Sequence, residues 1–131
     1  MRNSSRQPPP GQLRRQDELQ LSIFVRAGDM FAGRPLYHEI LDRARRAGLR
    51  GATAIRGMQG FGPSGKVRAS RLAGLSGNEP VLIQVTDDAG RVRAFLPEID
   101  HLLGAGLIVL HDVVTARRVA DLPDIAATAA P

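Results

Sequence analysis

The sequence lacks cysteine, carries a single lysine, and contains no apolar run long enough to cross a membrane. Without cysteine, disulfide bonds and thiolate metal sites are excluded, which fits a cytoplasmic protein. The N-terminal residues are polar, include three consecutive prolines, and lack the apolar segment typical of a signal peptide. A membrane span needs roughly 18 consecutive apolar residues. We therefore expect a cytoplasmic protein without direct membrane insertion.

The positive charge comes almost entirely from arginine and is spread along the chain. Seventeen arginines accompany the one lysine, and the formal net charge is +5 over 131 residues. Nucleic-acid binders usually concentrate positive charge on one face or arm. RNA-recognition sheets also need exposed aromatic residues on their central strands, and Phe24 is the only such residue here. We expect no nucleic-acid partner, although an anionic small ligand is compatible with the charge.

The first half of the chain predicts two strands around one helix. Apolar and polar residues alternate over 19–25, the period of a strand with one apolar face. Pro35 suits the first position of a helix, and an apolar stripe at helical spacing predicts that this helix covers about 35–47. Residues 30–34 are expected to form a connection. A second, shorter strand is predicted over 52–58.

The second half predicts a strand, a helix and a final strand. Residues 81–85 form a nearly continuous apolar strand, and residues 107–114 form another rich in β-branched side chains. Asp87 or Asp88 can cap the intervening helix, whose apolar positions span 92–103. Pro97 lies inside this pattern, so we expect either a kink or a helix that restarts there.

The predicted order is β-α-β-β-α-β, which indicates an α+β, ferredoxin-like fold. Right-handed crossovers would place both helices on one face of a four-stranded antiparallel sheet and leave the other face bare. Phe24 on that face indicates that another subunit covers it, which predicts a homo-oligomer. We expect one domain over 18–118, between a disordered N-terminal tail, 1–17, and a flexible C-terminal tail, 119–131.

A long glycine-rich loop over 58–79 is the most distinctive segment. Glycines let successive backbone N–H groups converge on an anion, and Lys66 and Arg68 add positive charge. No acidic residue occurs between Met58 and Asn78. These features favour a phosphorylated ligand, and the alternative is a mobile loop with no ligand. The pattern after Lys66 leaves open whether residues 67–75 form a helical turn or a strand extension.

Metal binding and catalysis find little support in the sequence. His38 with Asp42, and Glu98 with His101, have helical spacing, but a metal site needs three or four ligands. His111 lies alone in a predicted strand. No nucleophile has a recognisable base and orienting group nearby in sequence. We therefore expect no metal site, no bound cofactor and no enzymatic activity.

The segment over 21–114 resembles the DUF190 family. The matching pieces are Gly33-Arg34-Pro35-Leu36-Tyr37, Ala47-Gly48-Leu49-Arg50-Gly51-Ala52-Thr53, Arg56-Gly57-Met58-Gln59-Gly60-Phe61-Gly62, Ala94-Phe95-Leu96-Pro97-Glu98-Ile99-Asp100 and Gly106-Leu107-Ile108. That family is similar to the PII signalling proteins, which are trimers of ferredoxin-like subunits. In PII proteins the long loop between strands two and three, the T-loop, contacts partner proteins, and adenine nucleotides bind between subunits near its base.

The resemblance implies that Gly60, Phe61, Gly62 and Lys66 lie near a ligand's phosphates and that Arg117 or Arg118 reaches in from the end of the last strand. Together with Gly57 and Arg68 of the glycine-rich loop, they form the predicted set of ligand-binding residues. The resemblance also implies a homotrimer, an adenine nucleotide or related anion at the subunit clefts, and an unknown partner protein that docks on loop 58–79. One connection departs from the PII pattern. Gly104-Ala105-Gly106 is short and has no basic residue, whereas PII proteins carry a lysine there. The alternative function is a ligand-independent interaction module.

Overall fold

The computed structural model describes residues 12–62, 67–69, 77–104 and 106–118. The elements in chain order are β1 (Leu13–Arg26), β2 (Met30–Phe31), β3 (Arg34–Pro35), α1 (Leu36–Arg46), β4 (Ala52–Arg56), β5 (Gln59–Phe61), β6 (Val67–Ala69), β7 (Pro80–Asp87), α2 (Ala89–Ile99), a 3₁₀ turn (Asp100–Leu102) and β8 (Leu107–Arg118). Most of the expected tails, residues 1–11 and 119–131, lies outside the described residues.

The four long strands form one antiparallel sheet in the order β4-β7-β1-β8. Ile23 on β1 lies opposite Ile83 on β7, and Ala54 on β4 lies opposite the same residue. The first and third strands of the βαββαβ order therefore occupy the centre, and the second and fourth occupy the edges. This arrangement confirms the predicted α+β, ferredoxin-like fold.

The core lies between the sheet and the two helices. Both helices contact β7 and each other, so they share one face of the sheet. Alternate residues of the central strands face the helices because strand side chains point to opposite faces in turn. The buried apolar residues are Leu19, Leu21, Ile23, Val25, Leu36, Ile40, Ala44, Val81, Ile83, Val85, Val92, Phe95, Ile99 and Leu103.

Several boundaries differ from the sequence-based prediction. The expected connection over 30–34 contains the β2–β3 hairpin, whose turn places Ala32 (φ 49°) and Gly33 (φ 81°) in the left-handed region. Asp88 caps α2 by accepting a bond from the Gly90 N–H at 3.2 Å. The helix is continuous through Pro97, so the predicted restart is wrong. The helix ends at Ile99, and the remaining predicted helical residues form the 3₁₀ turn.

Contacts divide the chain into two compact units, one over 19–112 and one comprising 1–18 with 113–131. In the second unit, the Thr115 hydroxyl donates to the Glu18 carboxylate at 2.5 Å and lies 3.4 Å from the Gln16 carbonyl oxygen. These bonds help to explain why β1 begins at Leu13. Residues 13–17 therefore belong to a strand and not to the tail that was expected over 1–17.

A buried ion pair ties the connection after α1 to the end of β7. Asp87 is fully buried and accepts bonds from the Arg50 side chain at 2.6 Å, the Arg50 backbone N–H at 2.9 Å and the Asp88 N–H at 2.7 Å. Burial acts to raise the pKa of Asp87, but these hydrogen bonds and the Arg50 charge outweigh it, so the pKa lies below its usual value. The pair thereby holds the start of β4 beside β7.

Candidate anion site at the base of the long loop

A two-stranded ribbon, β5 with β6, forms part of the long loop. Its register places Gly60 opposite Arg68 and Phe61 opposite Val67. Only residues 62–66 separate the two strands along the chain. The sequence is compatible with either a helical turn or a strand over residues 67–75. In the structure Val67–Ala69 is a strand. Residues 70–75 lie outside the described part of the chain.

The segment of the loop that leaves β4, residues 57–62, is called the outgoing limb. It passes beside the ring of Pro80, the first residue of β7. The Gly57 N–H donates to the Pro80 carbonyl oxygen at 2.7 Å. A Cβ atom at Gly57 would lie 2.9 Å from Pro80 Cγ, and one at Gly60 would lie 3.5 Å from the same atom. Glycine at position 57 therefore lets the backbone pass close to the proline ring, whereas a Cβ atom at Gly60 would make an ordinary contact with it.

The described segment of the loop that leads into β7, residues 77–79, is called the returning limb. It is bonded to the residues that follow β1. The Gly28 N–H donates to the Gly77 carbonyl oxygen at 2.7 Å, and the Ala27 N–H donates to the Glu79 carbonyl oxygen at 2.9 Å. Gly77 has φ +71°, and a Cβ atom at Gly28 would lie 2.7 Å from the Gly77 oxygen. Both limbs of the loop are thus bonded to the sheet where they meet it.

Large apolar side chains are exposed in the ribbon and at Met58, the residue just before it. Met58 is 87% exposed and Phe61 is 76% exposed. Among the residues that the structure describes, none comes within 4 Å of the place that a Cβ atom would take at Gly62. An exposed aromatic ring beside unobstructed glycine backbone can contact either a ligand or a partner protein.

Five of the eight predicted site residues belong to one stretch of the structure. Gly57, Gly60, Phe61 and Gly62 follow one another along the outgoing limb, and Arg68 lies opposite Gly60 in the ribbon. Lys66 lies outside the described residues.

The two remaining predicted residues, Arg117 and Arg118, lie at the end of β8, in the other compact unit. Arg117 Nη2 is 3.2 Å from Gln16 Oε1 and 3.8 Å from the carboxylate of Glu18, whose side chain is fully buried. Arg118 is exposed. Arg117 therefore already has an anionic neighbour within its own unit, a carboxylate that the sequence-based assignment did not include.

Sequence reasoning missed Pro80, Gly28 and Glu18 as residues that shape these surroundings. A proline at the start of a strand signals only that its missing N–H is not needed there. A glycine after a strand signals a turn and does not reveal the segment that it touches. Glu18 precedes the predicted strand as one of many polar residues, so nothing in the sequence marked it as buried.

Of the two possible metal-ligand pairs, one includes Asp42, which contacts two arginines, and the other is divided between two elements. Asp42 Oδ2 lies 3.3 Å from an Arg34 nitrogen and Oδ1 lies 3.3 Å from an Arg45 nitrogen. Glu98 belongs to α2, whereas His101 belongs to the 3₁₀ turn. Within the described ranges, no group of three or more His, Cys, Asp or Glu side chains is arranged to hold a metal ion.

A shallow depression between the C-terminal end of α1 and α2 carries charges of both signs. It is lined by Arg43, Arg46, Ala47 and Glu98. Arg43 donates to the Glu98 carbonyl oxygen at 2.7 Å, and Arg43 and Arg46 lie 3.8 and 3.6 Å from the carboxylate of Glu39. The arginines of this depression therefore already face carboxylate and carbonyl oxygens.

The helix-free face of the sheet carries a short apolar row. Phe24 on β1 and Ile55 on β4 both lie opposite Leu82 on β7. Phe24 is 41% exposed and Ile55 is 49% exposed. The row is therefore an uncovered apolar surface on the face opposite the helices.

No helix in the described part of the chain is long and apolar enough to cross a bilayer.

Solved structures with the same architecture are PII-like proteins. A nitrogen regulatory PII-like protein from Thiomonas intermedia K12, CPII, in a structure bound to ADP, AMP and bicarbonate, has a TM-score of 0.62 at 19% identity, covering 79% of this chain and 92% of that one. A PII-like signalling protein from Thermus thermophilus has a TM-score of 0.54 at 10% identity, covering 79% and 92%. The fold is therefore that of the PII-like class.

Sequence comparison identifies the family to which the chain belongs. Residues 18–115 match the model of the DUF190 family, described as uncharacterized ACR, COG1993, and the chain belongs to that family. A UPF0166 protein of Aquifex aeolicus is 37% identical over 93 residues, which are 71% of this chain and 88% of the relative. A UPF0166 protein of Methanocaldococcus jannaschii is 34% identical over 93 residues, or 70% and 85%.

Proposed function

We propose that this chain is a cytoplasmic, non-catalytic regulatory protein of the PII-like class. It assembles as a homotrimer and binds an adenine nucleotide or a related anion at the subunit clefts. Ligand binding orders the loop over 58–79 and thereby changes how the loop docks a partner protein. Such a switch requires contacts that the ligand makes in only one state of the loop.

The observation that carries the proposal is the base of the loop. Gly57, Gly60 and Gly62 line the limb that leaves the sheet, and this limb is bonded to Pro80. Arg68 lies opposite Gly60, so the ribbon combines exposed backbone with a cationic residue. An anion is stabilised by backbone N–H groups together with a nearby guanidinium. The fold shared with CPII, whose structure contains ADP, AMP and bicarbonate, supports a nucleotide as that anion.

The cationic residues have separate roles in this proposal. Lys66 and Arg68 neutralise the ligand's phosphates from the loop side. Arg117 or Arg118 contributes from the end of β8. For Arg117, an incoming phosphate must compete with its contacts to Gln16 and Glu18. The short connection over 104–106 supplies no lysine, which favours a ligand with fewer phosphates than a triphosphate.

Calorimetry tests the proposal directly. The protein is titrated with ATP, ADP, AMP and cyclic dinucleotides, each with and without bicarbonate. Replacement of Lys66 and Arg68 together by alanine should abolish or strongly weaken binding. Arg91 and Arg93, exposed on α2, provide a control that removes the same two charges, and their replacement should leave affinity unchanged. Absence of binding across the panel by the folded protein would refute a nucleotide sensor.

A second candidate, a docking arm that needs no ligand, is favoured by the exposure of Met58 and Phe61. Two large apolar side chains exposed close together, one in the ribbon and one just before it, are typical of a protein contact. Under this alternative, Met58→Ala and Phe61→Ala reduce co-purification of a partner protein. The Lys66 and Arg68 variants then change only the binding of that partner. A sensor differs because its loop variants also change nucleotide affinity.

A further inference from the structure

We propose that Pro80 is a positioning residue whose ring sets the direction in which the β5–β6 ribbon leaves the sheet. The inference rests on the proposed function, because that direction decides where the ribbon presents Phe61, Gly62 and Arg68 to an anion. Pro80 itself belongs to the sheet and would touch no ligand. Its influence is transmitted through Gly57 and Gly60.

The geometry makes the ring an obstacle around which the chain must pass. A Cβ atom at Gly57 would lie 2.9 Å from Pro80 Cγ, closer than carbon atoms tolerate, and one at Gly60 would lie 3.5 Å from it, in ordinary contact. Met58 and Gln59, between the two glycines, are exposed. Residues 57–60 therefore pass beside the ring before the chain enters the ribbon.

The ring cannot easily move away from this limb. Pro80 lies opposite Arg26 in the pairing of β7 with β1, and its carbonyl oxygen accepts the bond from Gly57 at 2.7 Å. Its Cγ is part of a closed ring attached at both ends to the backbone, so it can shift only by a change of ring pucker and lacks the rotamer freedom of an open side chain. An added methyl group at Gly57 would therefore displace the limb and the ribbon rather than the sheet.

This arrangement gives a test based on rescue. Gly57→Ala introduces the overlap, and Pro80→Ala removes the Cγ atom that causes it. In the double variant the new methyl group occupies the space that Cγ leaves, so it should hold the limb in place and recover most of what the first substitution loses. Residues in direct contact give non-additive effects of this kind, whereas independent sites give additive ones. Gly51→Ala is the matched control, because Gly51 precedes β4 as Gly57 follows it, and a Cβ atom there would meet no described residue within 4 Å.

Two measurements are made on the wild-type protein, both single variants, the double variant and the control. The first is the position of the backbone amide resonances of Val67, Arg68 and Ala69, which are distant in sequence from both substitutions. The second is the dissociation constant for ADP. We expect Gly57→Ala to shift these resonances and to weaken ADP binding about tenfold, and the double variant to return to within about threefold of wild type.

The contrary results are equally specific. If Gly57→Ala leaves the β6 resonances at their wild-type positions, or if the double variant is as impaired as the two single effects combined, Pro80 does not position the ribbon. If the wild-type protein binds no nucleotide, the proposed function fails and the resonances alone decide the inference. Should Gly57→Ala not fold, Pro80→Ala decides: faster amide exchange across β6 supports the role, and unchanged exchange overturns it.

Discussion

At the scale of single residues, Asp87 shows how one carboxylate links two segments of the fold. It accepts three hydrogen bonds, two of them from Arg50, although its side chain is almost completely buried. Arg50 remains partly exposed, so the pair is not fully removed from water. Because the interaction requires the ionised carboxylate, the pKa of Asp87 is lowered in the folded protein despite its burial.

Asp87→Asn should lower the free energy of unfolding by about 2–3 kcal/mol near neutral pH, since it removes one charge from a mostly buried pair. A lowered folded-state pKa means that the carboxylate contributes stability above its unfolded value of about 3.8 and loses that contribution as pH falls through the folded value. Urea unfolding across this range should show the difference between wild type and variant shrinking as the solution is acidified.

Asp88→Asn is the matched control, because Asp88 is the neighbouring carboxylate and asparagine is an equally good cap for α2. Its unfolding free energy should stay close to that of the wild-type protein. An equal loss in both variants, or a difference for Asp87→Asn that is constant with pH, would contradict the assignment.

At the scale of elements, the long loop is attached to the sheet at two defined places. The outgoing limb meets Pro80, and the returning limb meets Gly28 at the end of β1. The Gly28 contact is made between two backbones, which leaves no flexible side chain to adjust. The two attachments fix the places where the loop leaves the sheet and rejoins it.

Gly28→Ala should release the returning limb, because its methyl group would lie 2.7 Å from the Gly77 oxygen. We expect a loss of about 1–3 kcal/mol, the usual cost of forcing atoms into an occupied space. Hydrogen exchange should become faster at the amides of residues 27 and 28, and proteolysis within the loop should accelerate. Gly51→Ala serves again as the control, and equal exchange in both variants would count against this attachment.

At the scale of the whole molecule, the apolar row on the helix-free face is the feature that an isolated subunit does not explain. Phe24, Leu82 and Ile55 come from three adjacent strands and meet in register. Apolar side chains aligned in this way gain stability when another surface excludes water from them. Trimer formation through this face remains a prediction, and it would also create the clefts where the proposed ligand binds.

Phe24→Glu should therefore convert the assembly to monomers, because a carboxylate would have to be buried without a partner. Light scattering at micromolar concentration should give a trimer mass for the wild-type protein and a monomer mass for this variant. Ala94→Glu adds the same charge at an exposed position of α2 and should remain trimeric. A wild-type protein that is itself monomeric would remove both the trimer and the proposed subunit clefts.

The sequence by itself determined the order of the main elements and hence the fold. Alternating residues on β1, the apolar stripe of α1 and the continuous apolar run of β7 are local patterns, because each depends only on which face of one element is buried. The glycine-rich segment was equally visible, since glycine marks backbone that side chains would obstruct. The DUF190 resemblance could also be stated from the sequence, because it depends on short contiguous motifs.

Only the tertiary structure decided which distant residues meet. Thr115 bonds to Glu18, Arg117 faces the same buried glutamate, and Gly57 accommodates the ring of Pro80. None of these has a local signature, because each depends on two segments that are far apart along the chain. Local periodicity specifies the face that an element buries, whereas the neighbour that covers it follows from the packing of the whole chain.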